Sequence, residues 1–141
     1  MPGRRSKSGS PSPRPDVIVD FHCSQGLLFI DLKNIGAQSA YHVCTTFDQP
    51  LYALGGKKCI SDLQLFRCVE FVPPGKEFSQ LIDPVAAWFK LDCPRRYTID
   101  IRYSDRDGHE FQERIVHDLD IYRDLGYISS SGGDDGKPGP Q

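Results

Sequence analysis

The stretch Ile30–Asp48, IDLKNIGAQSAYHVCTTFD, decides how the chain is read. Two runs of alternating apolar and polar residues flank Asn34-Ile35-Gly36. A phosphate-binding loop needs more glycines and a following helix, but here a second alternating run follows. Asn and Gly both tolerate a left-handed backbone, and an Asn side chain bonds nearby main chain. The break therefore reads as a turn between strands, with Gly36 expected at positive φ.

The same alternation recurs outward from this point. Val17, Val19, Phe21 and Cys23 share one face, and Leu28, Ile30 and Leu32 share another, with Phe29, Asp31 and Lys33 opposite. Tyr41, Val43, Thr45 and Phe47 align. So do Tyr97, Ile99, Ile101 and Tyr103, against Thr98, Asp100 and Arg102. Phe111, Glu113, Ile115, His117 and Leu119 fall on one side of the last run. A period of two predicts antiparallel strands with one buried and one wet face. Ser24-Gln25-Gly26, Pro73-Pro74-Gly75 and Asp107-Gly108 supply the turns. The segments ISDLQLF and DPVAAWFKL are ambiguous, and Asp62 and Asp83 are candidate caps for short helical turns. Trp88 and Phe89 are expected to fill one end of the core or to cover an edge.

Short strands with regular turn signals predict an all-β fold, an antiparallel β-sandwich. The pieces LKNIGAQSAYHVCTTFD, FVPPGKEF and IDIRYSDRDGHEFQE, within residues 17–121, resemble bacterial and archaeal immunoglobulin-like sandwich modules of the CARDB type. That resemblance implies a non-catalytic module used for adhesion, spacing or docking, and it brings no catalytic residues with it.

The 141 residues suit one domain, and 38% hydrophobic residues allow a modest core. Residues 1–15 are basic and 129–141 are polar and rich in Gly and Pro, so both read as disordered tails around an ordered 16–122, with 123–141 as a C-terminal extension. The basic residues at the start are not followed by an apolar stretch, which argues against a secretory signal. No apolar run approaches the roughly 18 residues of a membrane span. The expected setting is cytoplasmic. The formal net charge of −2 gives no reason to expect a specific nucleic-acid partner. Arg4, Arg5, Lys7 and Arg14 would support only weak, salt-sensitive contact with an anionic surface.

Candidate chemistry is sparse. Cys23, Cys44, Cys59, Cys68 and Cys93 are odd in number and irregular in spacing, which predicts free thiols. His42 and Cys44, two apart on a strand, share a face, and Cys59, Cys68 and His22 are the other residues a zinc site would use. No CxxC or HxxxH pair anchors one. Asp105, Asp107 and Glu110 resemble the start of a calcium loop, but Gly108 comes too early and strands flank it. His117, Asp118 and Glu113 invite an acid–base reading for which a strand supplies no cleft. No nucleophile-elbow, P-loop or dinucleotide motif is present. The chain reads as a non-enzyme with no cofactor.

The expected function is a protein-interaction or docking module, with a metal-binding or redox protein using Cys and His residues as the alternative. The partner-binding candidates are Leu51, Tyr52, Leu54, Lys57 and Lys58. Apolar and basic residues there surround a flexible Gly55-Gly56, although Leu51 and Leu54 also suit the core.

Overall fold

The computed structural model describes residues 13–124. Among the described residues the elements follow in order: β1 Val17–Ser24, β2 Leu27–Asn34, β3 Ala40–Phe47, β4 Tyr52–Ala53, β5 Lys58–Cys59, a 3-10 turn Ile60–Asp62, α1 Gln64–Arg67, β6 Cys68–Val72, β7 Glu77–Pro84, α2 Val85–Trp88, β8 Arg96–Ser104 and β9 Glu110–Asp118, with a helical turn over residues 121–124. One sheet has the order β1-β2-β7 and a second has β6-β3-β8-β9, while β4 and β5 form a small ribbon. All of these pairings are antiparallel. The two larger sheets share one core. It contains Val17, Val19 and Phe21 of β1, Leu28, Ile30 and Leu32 of β2, and Tyr97, Ile99, Ile101 and Tyr103 of β8. These are the faces that the period-two pattern predicts.

The turns follow from residues that tolerate positive φ. Gln25 at 52° and Gly26 at 79° close the β1–β2 hairpin in two residues. Gly108, at 88°, closes β8–β9, where Asp105 Oδ1 accepts from the amides of Asp107 and His109.

Four expectations are corrected. First, Gly36 is not at positive φ. A Cβ there would lie 2.1 Å from the Arg14 carbonyl oxygen and 2.6 Å from the Asp16 amide nitrogen, so glycine is required by close backbone approach. Second, β3 does not alternate cleanly. Its register with β8 shifts between Tyr41 and Cys44, and His42 takes φ of 51°. The extra residue changes the phase, so Ala40, Val43 and Thr45 are buried while Tyr41 turns away to pack on Phe71. Third, neither Asp62 nor Asp83 caps a helix: α1 and α2 begin after Leu63 and Pro84 without side-chain caps.

The fourth correction concerns Arg14, placed by the sequence in a free tail. Its guanidinium lies 4.8 Å from the Phe111 ring centroid and 3.8 Å from Glu113, and cation–π attraction holds it on β9. Residues 1–12 of the expected basic tail, and the whole of the expected C-terminal tail 129–141, lie outside the described residues. No helix among the described residues is long and apolar enough to cross a membrane.

Trp88 is fully buried, packs edge-on against Phe89, and is covered by the Arg95 guanidinium. The sheets also meet at an edge. His117 of β9 donates to the Val19 carbonyl of β1 at 2.8 Å, and the Tyr122 hydroxyl donates to the Phe21 carbonyl at 2.9 Å. Outward-facing carbonyls of β1 are thus satisfied by side chains and not left as a template for another strand.

Candidate functional site

The chain between β3 and α1 builds the surface that the sequence singled out. Leu51 has no exposed surface, and its backbone is held by Ile60 and Ser61. It belongs to the core. Its assignment to a partner surface is corrected, because a branched apolar side chain at this strand boundary finds a packed site. Tyr52 and Leu54 behave differently: they are 40% and 43% exposed. Ala53 between them is buried, as alternation along β4 requires.

This hairpin is fixed to the body at three points. The Leu54 amide donates to the Ile82 carbonyl of β7 at 2.9 Å. The Gly55 amide donates to Asp83 Oδ2 at 2.9 Å, which is where that carboxylate goes instead of capping α2. The Trp88 indole donates to the Tyr52 carbonyl at 3.2 Å. Leu54 itself stands at φ of 53°, an uncommon conformation for leucine. Lys57 is exposed and Lys58 is half-buried beyond the two glycines. The result is an anchored projection with an aromatic ring, an aliphatic side chain and two cations.

A second surface lies on the outer face of the four-stranded sheet. The bulge at His42 opens a depression of about 520 Å³ lined by His42, Cys44, Arg102, Ser104, Glu110 and Gln112. His42 Nδ1 pairs with Glu70 at 3.1 Å, both side chains being largely exposed. Here Cys44 and Cys68 form a disulfide, with Cα atoms 4.1 Å apart. The expectation of five free thiols is corrected for this pair. The β3–β6 register sets Cys44 directly opposite Cys68, a non-local pairing that spacing along the chain does not reveal. Cys23, Cys59 and Cys93 are free. Burial pushes the Cys23 thiol up, and it does the same to Cys93 against the opposing effect of Arg95.

The residues weighed for zinc are not brought together: Cys44 and Cys68 are bonded to each other, while His42 and His22 pair with Glu70 and Asp31. Asp105, Asp107 and His109 do converge at the β8–β9 turn. The Asp105 carboxylate there is already engaged by two amides and by His109 Nδ1, so hairpin geometry accounts for it.

Sequence reading missed Asp31. It lies on the outer face of β2 and is only 2% exposed. His22 Nδ1 lies 2.7 Å from one carboxylate oxygen, and the Ser79 hydroxyl donates to the other. His22 also stacks on Phe29. The carboxylate stands between the serine and the histidine. A hydrolytic triad needs the histidine in that central position, so the group acts as a charge-satisfying bridge across β1, β2 and β7. Glu113 and His117 are likewise separated: the Tyr103 hydroxyl donates to Glu113 at 3.2 Å, and His117 faces β1.

No curated protein matches the chain. The family model described as Domain of unknown function (DUF8453) matches residues 4–123, and the chain belongs to that family.

Proposed function

We propose that the two sheets form an immunoglobulin-like sandwich and that the domain is a non-catalytic docking module. The strand exchange supports the first part: β1, β2 and β7 lie in one sheet and β6, β3, β8 and β9 in the other, with one core between them.

The observation that carries the second part is the pinned hairpin at Tyr52–Lys58. Two large apolar side chains are held partly exposed by backbone bonds to β7, Asp83 and Trp88, so less ordering entropy remains to be lost on binding. A ring and an aliphatic group beside two cations complement one class of occupant: a segment of another protein that carries an apolar anchor flanked by Asp or Glu. The lysines would speed encounter and fix orientation, while Tyr52 and Leu54 supply the buried centre.

Selection from a displayed random-peptide library tests this reading. Acidic peptides with an apolar anchor should be enriched on the wild-type domain. They should lose at least about tenfold in affinity against Tyr52→Ser/Leu54→Ser, a loss of about 1.4 kcal/mol or more. Failure to enrich acidic peptides, or equal binding to that variant, would contradict it.

A further inference from the structure

We propose that the Cys44–Cys68 disulfide is a redox clasp, opened by a dithiol reductant, that controls the mobility of the edge strand β6. This inference does not depend on the docking hairpin.

Four observations lead to it. The bond joins β3 to a strand with no second neighbour, because β6 ends its sheet. Cys68 is exposed and Cys44 is half-buried, so the bond is not sealed in the core. Cys44 lines the depression beneath the His42 bulge, so the departing sulfur opens onto solvent-filled space. Arg102 is the partner of Cys44 in the β3–β8 register and lines the same depression, which brings a cationic side chain to this side of the bond. Exposed disulfides are the labile ones, and a nearby cation favours departure as thiolate.

A thiolate of the dithiol attacks the exposed Cys68 Sγ, the Cys44–Cys68 bond breaks, and Cys44 leaves as a thiolate beside Arg102. The reductant's second thiolate then attacks its own sulfur in the mixed disulfide and releases Cys68. The protein gains two electrons and takes up protons from solvent, while the reductant becomes a disulfide.

The fold would survive opening. The chain before β6 is anchored by buried Phe66 against Phe47, and the end of β6 by the Asn34 bond to the Val72 carbonyl. What is lost is the link between these anchors, so the change should be local.

The test treats the full, air-oxidised chain with dithiothreitol in the absence of denaturant. Alkylation with mass analysis and native-state amide exchange then report the outcome. Cys44 and Cys68 should become alkylated while the protein still melts cooperatively. Exchange across residues 68–72 should rise by about tenfold or more, with 96–118 unchanged. The Cys44→Ser/Cys68→Ser variant should show the reduced pattern without reductant. A bond that resists the dithiol until the protein unfolds, exchange in β6 that does not change, or a double variant that cannot fold would each overturn the proposal.

Discussion

Asn34 Nδ2 donates to the Val72 carbonyl at 2.9 Å, joining the end of β2 in one sheet to the end of β6 in the other. The same amide group also donates to the Gln38 carbonyl, and Asn34 Oδ1 accepts from the amides of Asp16 and Gly36. One buried side chain thus uses both donors and both acceptor positions. It holds the approach to β1, the β2–β3 crossing and the end of β6. Removing it leaves several buried main-chain groups unpaired, so Asn34→Ala should destabilise the domain by about 3 kcal/mol or more in denaturant melts.

Gly36 lies against the Arg14–Asp16 backbone, which cannot yield as a flexible side chain can. Gly36→Ala should therefore cost about 1–3 kcal/mol from overpacking, and Gly36→Val more. A neutral Gly36→Ala melt would show that the approach relaxes freely.

The two histidine–carboxylate pairs should behave differently. His22 is the partner of nearly buried Asp31, whereas His42 and Glu70 meet in solvent. His22→Ala should cost about 1–3 kcal/mol by leaving a buried carboxylate with Ser79 alone. His42→Ala should change stability by less than about 0.5 kcal/mol. Equal effects in thermal melts would contradict the assignment of Asp31 as a structural bridge.

Glu113 supplies a pH signature. Burial first, and the Asp16 carboxylate second, push its carboxyl above the ordinary range, against the opposing Tyr103 and Arg14 contacts. Tyr103 is itself pushed up to about 12 by burial and remains a neutral donor. A carboxyl raised in the fold stabilises most when protonated. Its contribution is complete below the unfolded value of about 4.3 and is lost as pH rises through the folded value. Glu113→Gln stays neutral throughout. The melting temperature of the variant minus that of wild type should increase as pH rises from about 4.3 through the folded value of Glu113, and then level. A difference independent of pH would contradict this.

Leu51 and Leu54 separate core from surface within one loop. Leu51→Ala should cost about 2–4 kcal/mol, because its side chain is fully buried. Leu54→Ala should cost less than Leu51→Ala, by about 1 kcal/mol or more, since its side chain is 43% exposed.

Much of the core was legible in the sequence because its faces follow a local rule. The alternation of β1 and β8 names its buried residues directly, and Gly26, Gly75 and Gly108 mark turns through their positive φ. Three features were not legible, each for a non-local reason. The requirement for Gly36 comes from a segment some twenty residues earlier in the chain. The disulfide depends on β6, a five-residue strand whose exposed Phe71 hides its period, pairing with β3. The burial of Asp31 depends on His22 and Ser79 arriving from the two neighbouring strands. In the loop that composition singled out, the sequence could not separate buried Leu51 from exposed Leu54, because the difference lies in which backbone groups bond to Ile60 and to β7.

The docking account is tested most directly by an amide NMR titration of the wild-type domain with an acidic, apolar-anchored peptide from the library selection. Saturable shifts should centre on Tyr52, Leu54, Gly55, Gly56, Lys57 and Lys58, weaken as salt is added and be absent from Tyr52→Ser/Leu54→Ser. Shifts confined to the sheet face around His42, or no shifts at all, would contradict it.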